Sequence, residues 1–408
     1  MISRTLRVAV SAVALAAATL AQAQVSGDRV RIGFITDLSG PFADNDGPGG
    51  LEAVKMAVAD FGGKVLGKPI EVLSADHQNK ADIASAKARE WADTQGMDML
   101  VGGANSAAML SINKMVPDKK FVFLIVSAGA TQFTNDDCTP YTVQYAYNTT
   151  AVARTLGSAV VAQGGKSWYF LTTDYTFGHS LEAEATKIVQ ANGGQVLGKV
   201  RHPISASDFS SFLMQAQASK AQVLGLASSG SDTLNAIKGA REFGLTQSMK
   251  LAGLLMFVGN IDSLGLDDAQ GLLLTESWYW DQNDASRAFA KRYFEKMKRM
   301  PNSLQAANYS ATLSYLKSVE AAGTDNADKV MPEMRKMKID DMYAKGSIRA
   351  DGQMIHDFYL YEVKKPSESK RPWDVMKQVA MVPGDKAFAP LSELSLIHIS
   401  EPTRQEAI

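Results

Sequence analysis

The chain has 408 residues, with 42 Lys and Arg against 43 Asp and Glu, five His and one Cys. Charge that nearly cancels leaves no basic surface for nucleic acid or an anionic membrane, and one Cys excludes a disulfide framework. The length exceeds the roughly 250–300 residues that one hydrophobic core fills, so two lobes are expected.

Residues 1–23 read as a cleaved secretory signal: Arg4 and Arg7, an uncharged run from Val8 to Leu20, then Ala21-Gln22-Ala23 as an A-x-A site. The mature protein is expected to start near Gln24, in the periplasm. No later stretch reads as a membrane span. Arg29–Ile35 alternates as a strand, and Leu51 to Phe61 carries apolar residues at helical spacing. Strands are then predicted at Pro69–Ser74, Met97–Val101 and Phe121–Val126, separated by helices reaching Trp91 and over Ser106–Met115. This β-α-β alternation predicts a parallel sheet covered on both faces.

The pattern restarts after Tyr147. A helix over 150–163 leads into strands at Ser167–Leu171, Gly194–Val200, Val223–Leu226 and Lys250–Gly253. Helices Ser180–Ala191, Phe209–Ser219 and Asp232–Phe243 stand between them. Helices Ala285–Arg299, Ser303–Ala322 and Asp328–Met337 follow, then strands at His356–Val363 and Asp374–Val379. The expected fold is therefore α/β: two doubly wound, Rossmann-like lobes joined by a multi-strand hinge. One lobe takes residues 28–148 with 277–355, the other 149–276 with 356–391. Residues 395–408, SLIHISEPTRQEAI, match no period and read as a non-native or frame-shifted tail.

Four loops carry a family likeness: Ile32-Gly-Phe-Ile-Thr-Asp-Leu-Ser-Gly-Pro41, Gly102-Gly-Ala-Asn-Ser106, Ser127-Ala-Gly-Ala-Thr131 and Asp174-Tyr-Thr-Phe-Gly178. In order and spacing, over about Arg29 to Leu391, the chain resembles the type I periplasmic binding proteins of branched-chain amino acid ABC uptake systems. The resemblance implies a ligand clamped between the lobes for a permease in the inner membrane. It also implies a carboxylate held by Ser106 and Thr131, with Asn105, Gly129 and Ala130 beside them. Relatives of this kind often carry a second cysteine near the C-terminus, which implies a lost partner for Cys138.

The residues suit that role on physical grounds. Parallel α/β sheets bind ligands at the C-terminal ends of their strands, where helix N-termini offer unpaired N–H groups to an anion. The family's amino-acid binders also place an acid in the second lobe for the ammonium. Here the corresponding stretch is Ala252-Gly-Leu-Leu-Met-Phe257, with none. Leu255 and Phe257 offer an apolar wall, so the expected cargo is a small organic carboxylate, possibly aromatic. Alternatives are an amino acid, with Asp44 or Asp46 replacing the missing acid, and a sensory rather than transport role. Phe42, Phe177, Trp278 and Trp280 are candidate ring contacts. Asn45 and Ser229 are candidate polar contacts.

Enzymatic readings find little support. His77, His179, His202, His356 and His398 are scattered without ligand spacing, so no metal is expected. Gly178-His-Ser-Leu-Glu182 lacks the final Gly of a nucleophile elbow, and no phosphate loop is present. The chain is expected to be a monomeric binding protein without a cofactor.

Overall fold

The computed structural model describes residues 25–394. The signal peptide expected over 1–23 and the tail expected over 395–408 lie outside them. Strand Val30–Thr36 is buried over nearly its whole length. It pairs in parallel with Lys68–Asp76 on one side and Met99–Gly102 on the other. Burial without a break from Ile32 to Thr36 suits a parallel strand with helices over both faces. The six-stranded sheet continues through Val122–Ile125 to Thr142–Gln144, and the short strand Lys64–Val65 closes its other edge.

The second sheet has seven strands. Its parallel part runs Gln195–His202, Ser167–Thr173, Val223–Ala227, Lys250–Gly253, Leu273–Glu276. Phe358–Val363 and Met376–Val382 then extend it antiparallel. The edge strand Gln195–His202 alternates between exposed and half-buried residues, as one-sided packing requires. The long helix Ser303–Ala322 packs on Gly47–Asp60 and on the first sheet, with Asp284–Met297 and Ala327–Lys336 beside it. The two lobes are thus built around separate sheets.

Three connections pass between them, after Gln144, Glu276 and His356. Hydrogen bonds stitch these crossovers together. The Gln144 N–H donates to Gly352 O at 2.9 Å, Asn148 Nδ2 to Gln353 Oε1 at 2.8 Å, and Gln353 Nε2 to Gln144 O at 3.0 Å. Tyr343 donates its hydroxyl to Ser277 Oγ at 2.8 Å. The helix expected over 150–163 contains a π turn, Ala153–Gly157. Arg154 on that turn donates to Phe388 O at 3.3 Å and pairs with Glu393 at 2.5 Å, which ties down the C-terminal segment. A three-stranded sheet, Ile339–Asp340, Lys345–Ile348 and Met354–His356, was not anticipated, because strands of two to four residues show no period. Cys138 is partly buried and free.

An acid pair pins the start of the described chain. Asp325 accepts the Ser26 N–H at 2.8 Å and its hydroxyl at 2.8 Å. Neighbouring Asp98 accepts the Arg31 N–H at 2.7 Å. Burial, then the charge of Asp325, push the Asp98 carboxyl up to about 7. The folded protein therefore holds a proton there that the unfolded chain releases near pH 4. The resulting stabilisation is complete below that pH and is lost as pH rises through about 7. Asp98→Asn keeps an acceptor for Arg31 and gives Asp325 a permanent donor. Thermal melts should find the variant more stable than the parent at pH 8, with the advantage shrinking or reversing at pH 4. An equal difference at both pH values would show that Asp98 does not carry the proton.

Candidate binding cleft

The C-terminal strand ends of the two sheets face each other across a cleft. In the first lobe, strand Met99–Gly102 runs into Gly103, Ala104 and the helix Ser106–Asn113. Gly102 has φ +135°, and a Cβ there would lie 2.3 Å from Ile35 O, so only glycine permits this turn. Ala104 follows at φ +68°. His77 steadies the loop. Its Nδ1 accepts the Asn79 N–H at 3.0 Å and its Nε2–H donates to Gly103 O at 2.7 Å, the pattern of a neutral ring. Burial lowers its pKa accordingly. Asn105 caps the helix by accepting the Ala108 N–H at 3.1 Å. Ser106 then stands in the first turn, where backbone N–H groups have no partner within the helix.

Beneath this loop lies a buried carboxylate. Asp46 accepts hydrogen bonds from Thr36 Oγ1 at 2.7 Å, Ser127 Oγ at 2.5 Å and Asn308 Nδ2 at 2.6 Å. Desolvation raises its pKa against these donors. Ser127 in turn accepts the Ala104 N–H at 2.8 Å. Asp44 instead faces outward and pairs with Arg299 at 2.6 Å.

The second lobe supplies the opposite wall. Tyr175 and Phe177 follow strand Ser167–Thr173, Ser229 follows Val223–Ala227, and Leu255 and Phe257 follow Lys250–Gly253. The walls touch. Asn45 Nδ2 donates to Ser229 Oγ at 3.0 Å, and the Ser231 N–H to Pro41 O at 3.2 Å. Phe42 stacks on Tyr175 with ring centres 5.9 Å apart. Gly230 meets Pro41 so closely that a Cβ would lie 2.3 Å from its carbonyl oxygen. These contacts describe a closed cleft.

The walls must part to take a ligand, because the space left between them when closed is about 10 Å³, room for about one water molecule. Phe42, Asn45, Ser106, Phe177, Ser229, Leu255 and Phe257 all line it, as do Ala104, Ser127, Tyr147, Tyr175 and Leu304, which the sequence reading missed. No lining side chain is charged. Gly129, Ala130 and Thr131 stand outside this lining. A Cβ on Gly129 would strike the Tyr147 ring at 2.4 Å, the Ala130 N–H donates to Ser106 Oγ at 3.3 Å, and the Thr131 N–H donates to Ser180 Oγ at 3.4 Å.

The tryptophans are elsewhere. Trp278 donates to Met342 O at 2.8 Å and packs edge-on against Phe289. Trp280 donates to Trp373 O at 3.1 Å beneath Arg371. Their alternation around Tyr279 reflects packing beyond the strand end. Glu276 is buried near Val258 but binds the Ser303 hydroxyl and does not line the cavity. A wider groove of about 740 Å³ lies beside the opposite ends of the second sheet's strands, away from where parallel sheets hold ligands.

Comparison with known proteins is consistent with this geometry. The family model described as periplasmic binding protein matches residues 29–370. The fold is similar to that of a periplasmic binding protein from Burkholderia mallei, 64% identical with a TM-score of 0.89, covering 90% of this chain and 98% of that one. It is also similar to a branched chain amino acid ABC transporter periplasmic ligand-binding protein from Burkholderia xenovorans, 40% identical with a TM-score of 0.80, covering 90% and 99%. A solute binding protein of an ABC transporter from Rhodopseudomonas palustris, solved with 3,4-dihydroxybenzoic acid, shares the fold at 21% identity and a TM-score of 0.80, covering 88% and 98%.

The Asp46 cluster makes its own prediction. Ser127→Ala removes a donor from a buried carboxylate and an acceptor from the Ala104 N–H. Urea unfolding should show a loss of about 1.5–3 kcal/mol. A loss below about 0.5 kcal/mol would mean that Thr36 and Asn308 suffice for Asp46.

Proposed function

Because this chain belongs to the periplasmic binding protein family, we propose that it captures a small aromatic carboxylate by hinge closure and delivers it to an ABC uptake transporter. The observation that carries this reading is a closed cavity rich in rings and without a charged side chain. An α-amino acid would bring an ammonium into that space, at a cost of several kcal/mol without a carboxylate partner. Asp46 is no substitute, since three donors already occupy its oxygens. A carboxylate needs only N–H groups and a hydroxyl, which the first turn of helix Ser106–Asn113 offers with the favourable end of its dipole. Phe42, Phe177 and Phe257 supply faces for a planar body.

In the working cycle, the open form admits the ligand to the first lobe at Ser106. Closure brings Tyr175, Phe177 and Phe257 over its body and excludes water. The closed pair of lobes then presents a joint surface to the permease. The lobes are taken as residues 28–148 with 277–355, and 149–276 with 356–391. Release must remain possible, so binding near −8 to −11 kcal/mol, about micromolar to ten nanomolar, suits the task. The Rhodopseudomonas protein's dihydroxybenzoic acid supports an aromatic acid. The name of the Burkholderia xenovorans relative favours a second reading, an aliphatic amino acid.

Calorimetry decides between them. Benzoate-type acids should bind, and leucine, isoleucine and valine should give no heat. Clear binding of any of those three would overturn the aromatic reading. Ser106→Ala should weaken the best acid about 10-fold or more in a variant that thermal melts show to be folded. Export is tested separately. The intact mass of the protein recovered from a periplasmic extract should correspond to a chain beginning at Gln24, and retention of residues 1–23 would refute the cleavage site.

A further inference from the structure

We propose that the second lobe recognises an uncharged polar group at the far end of the ligand, a ring hydroxyl, through Tyr175 and Ser229. This rests on the aromatic-carboxylate reading and adds to it the chemistry of the ring's substituent.

The argument is an account of hydrogen bonds. Six lining side chains have a polar end: Asn45, Ser106, Ser127, Tyr147, Tyr175 and Ser229. Two have their donors engaged within the protein: Ser127 donates to Asp46, and Tyr147 donates to Ser127 O at 3.3 Å. Asn45 gives one of its two amide hydrogens to Ser229 while accepting from Asn260 Nδ2 at 3.5 Å, and its other hydrogen stays on the first-lobe wall. The hydroxyl hydrogens of Ser106, Ser229 and Tyr175 remain. Ser106 accepts from the Ala130 N–H, and Ser229 accepts from Asn45, so each keeps its own proton to donate. The Tyr175 hydroxyl has no hydrogen-bond partner among the described residues.

These donors divide by wall. Ser106 belongs to the first lobe, at the anion-binding helix end. Tyr175 and Ser229 belong to the second, each after one of two adjacent parallel strands, Ser167–Thr173 and Val223–Ala227. Both loops therefore reach the cleft side by side. Tyr175 is held in place by its ring, stacked on Phe42 and tilted against Phe177, each with centres 5.9 Å away. Burial keeps its phenol protonated far above ordinary pH. A ligand with a carboxylate alone would satisfy the first wall and leave the second dry, at about 1–3 kcal/mol for each unmet group. A second charge on the ligand would find no cation, because none lines the cavity. A neutral hydroxyl accepts from both donors and meets neither objection.

The test is calorimetry of the signal-free protein with benzoate and with 2-, 3- and 4-hydroxybenzoate. The parent should bind one hydroxybenzoate at least about tenfold more tightly than benzoate. Tyr175→Phe keeps the ring stack and should reduce that ratio about fivefold or more, and Ser229→Ala should reduce it independently. Thermal melts establish that each variant is folded. Benzoate bound as tightly as every hydroxybenzoate, or ratios unchanged in both folded variants, would overturn the proposal while leaving the aromatic reading intact. Leucine bound with no aromatic acid bound would overturn both.

Discussion

The carboxylate of Asp46 is the point at which the first lobe's binding wall is tied together. Its three donors come from the end of strand Val30–Thr36, from the loop after Val122–Ile125 and from the middle of the long helix Ser303–Ala322. Burying a carboxylate is costly unless such donors converge on it. Convergence fixes more than the charge. The loop that carries Asp46 also carries Phe42 and Asn45, and Ser127 passes the constraint to Ala104. A change at Asp46 would therefore move both faces that the first lobe presents to the cavity.

The same arrangement leaves the cavity electrically plain. Two acids lie close by but neither faces the ligand: Asp46 is wrapped by three donors, and Glu276 is bound to the Ser303 hydroxyl, with burial pushing its pKa well above the ordinary carboxyl value. What the cleft shows a ligand is aromatic surface, hydroxyls and helix N–H groups. Such a surface discriminates against cations by omission and selects among neutral bodies by shape and by the few hydrogen bonds that must be met.

Much of this architecture was legible from residue order. The alternation of Arg29–Ile35 and the apolar run Phe121–Val126 announce strands, and a restart after Tyr147 announces a second sheet. Short strands such as Thr142–Gln144 escaped notice because three residues carry no period. The cleft was partly legible for a related reason. Ser106, Ser229 and Phe257 sit directly after strands, where position alone implies exposure to the cleft. Trp278 and Trp280 also follow a strand, Leu273–Glu276, yet that strand feeds a crossover and its aromatic residues fill the junction. Tyr147 is the converse, a crossover residue whose ring turns into the cavity. Tyr175 lay two residues before Phe177 in the same loop, and its nearness to the cleft was readable there.

Gly230 and Pro41 close the cleft through main chain alone, with the Ser231 N–H on the Pro41 carbonyl. Part of closing is thereby carried by atoms that every sequence shares, beside the side-chain contacts of Asn45 with Ser229 and of Phe42 with Tyr175. Cavity side chains that do not cross the cleft are free to diversify over generations without disturbing this main-chain fit. A single methyl group at position 230 would act as a doorstop for every ligand alike. Proteins of this build can change diet while keeping one way to shut.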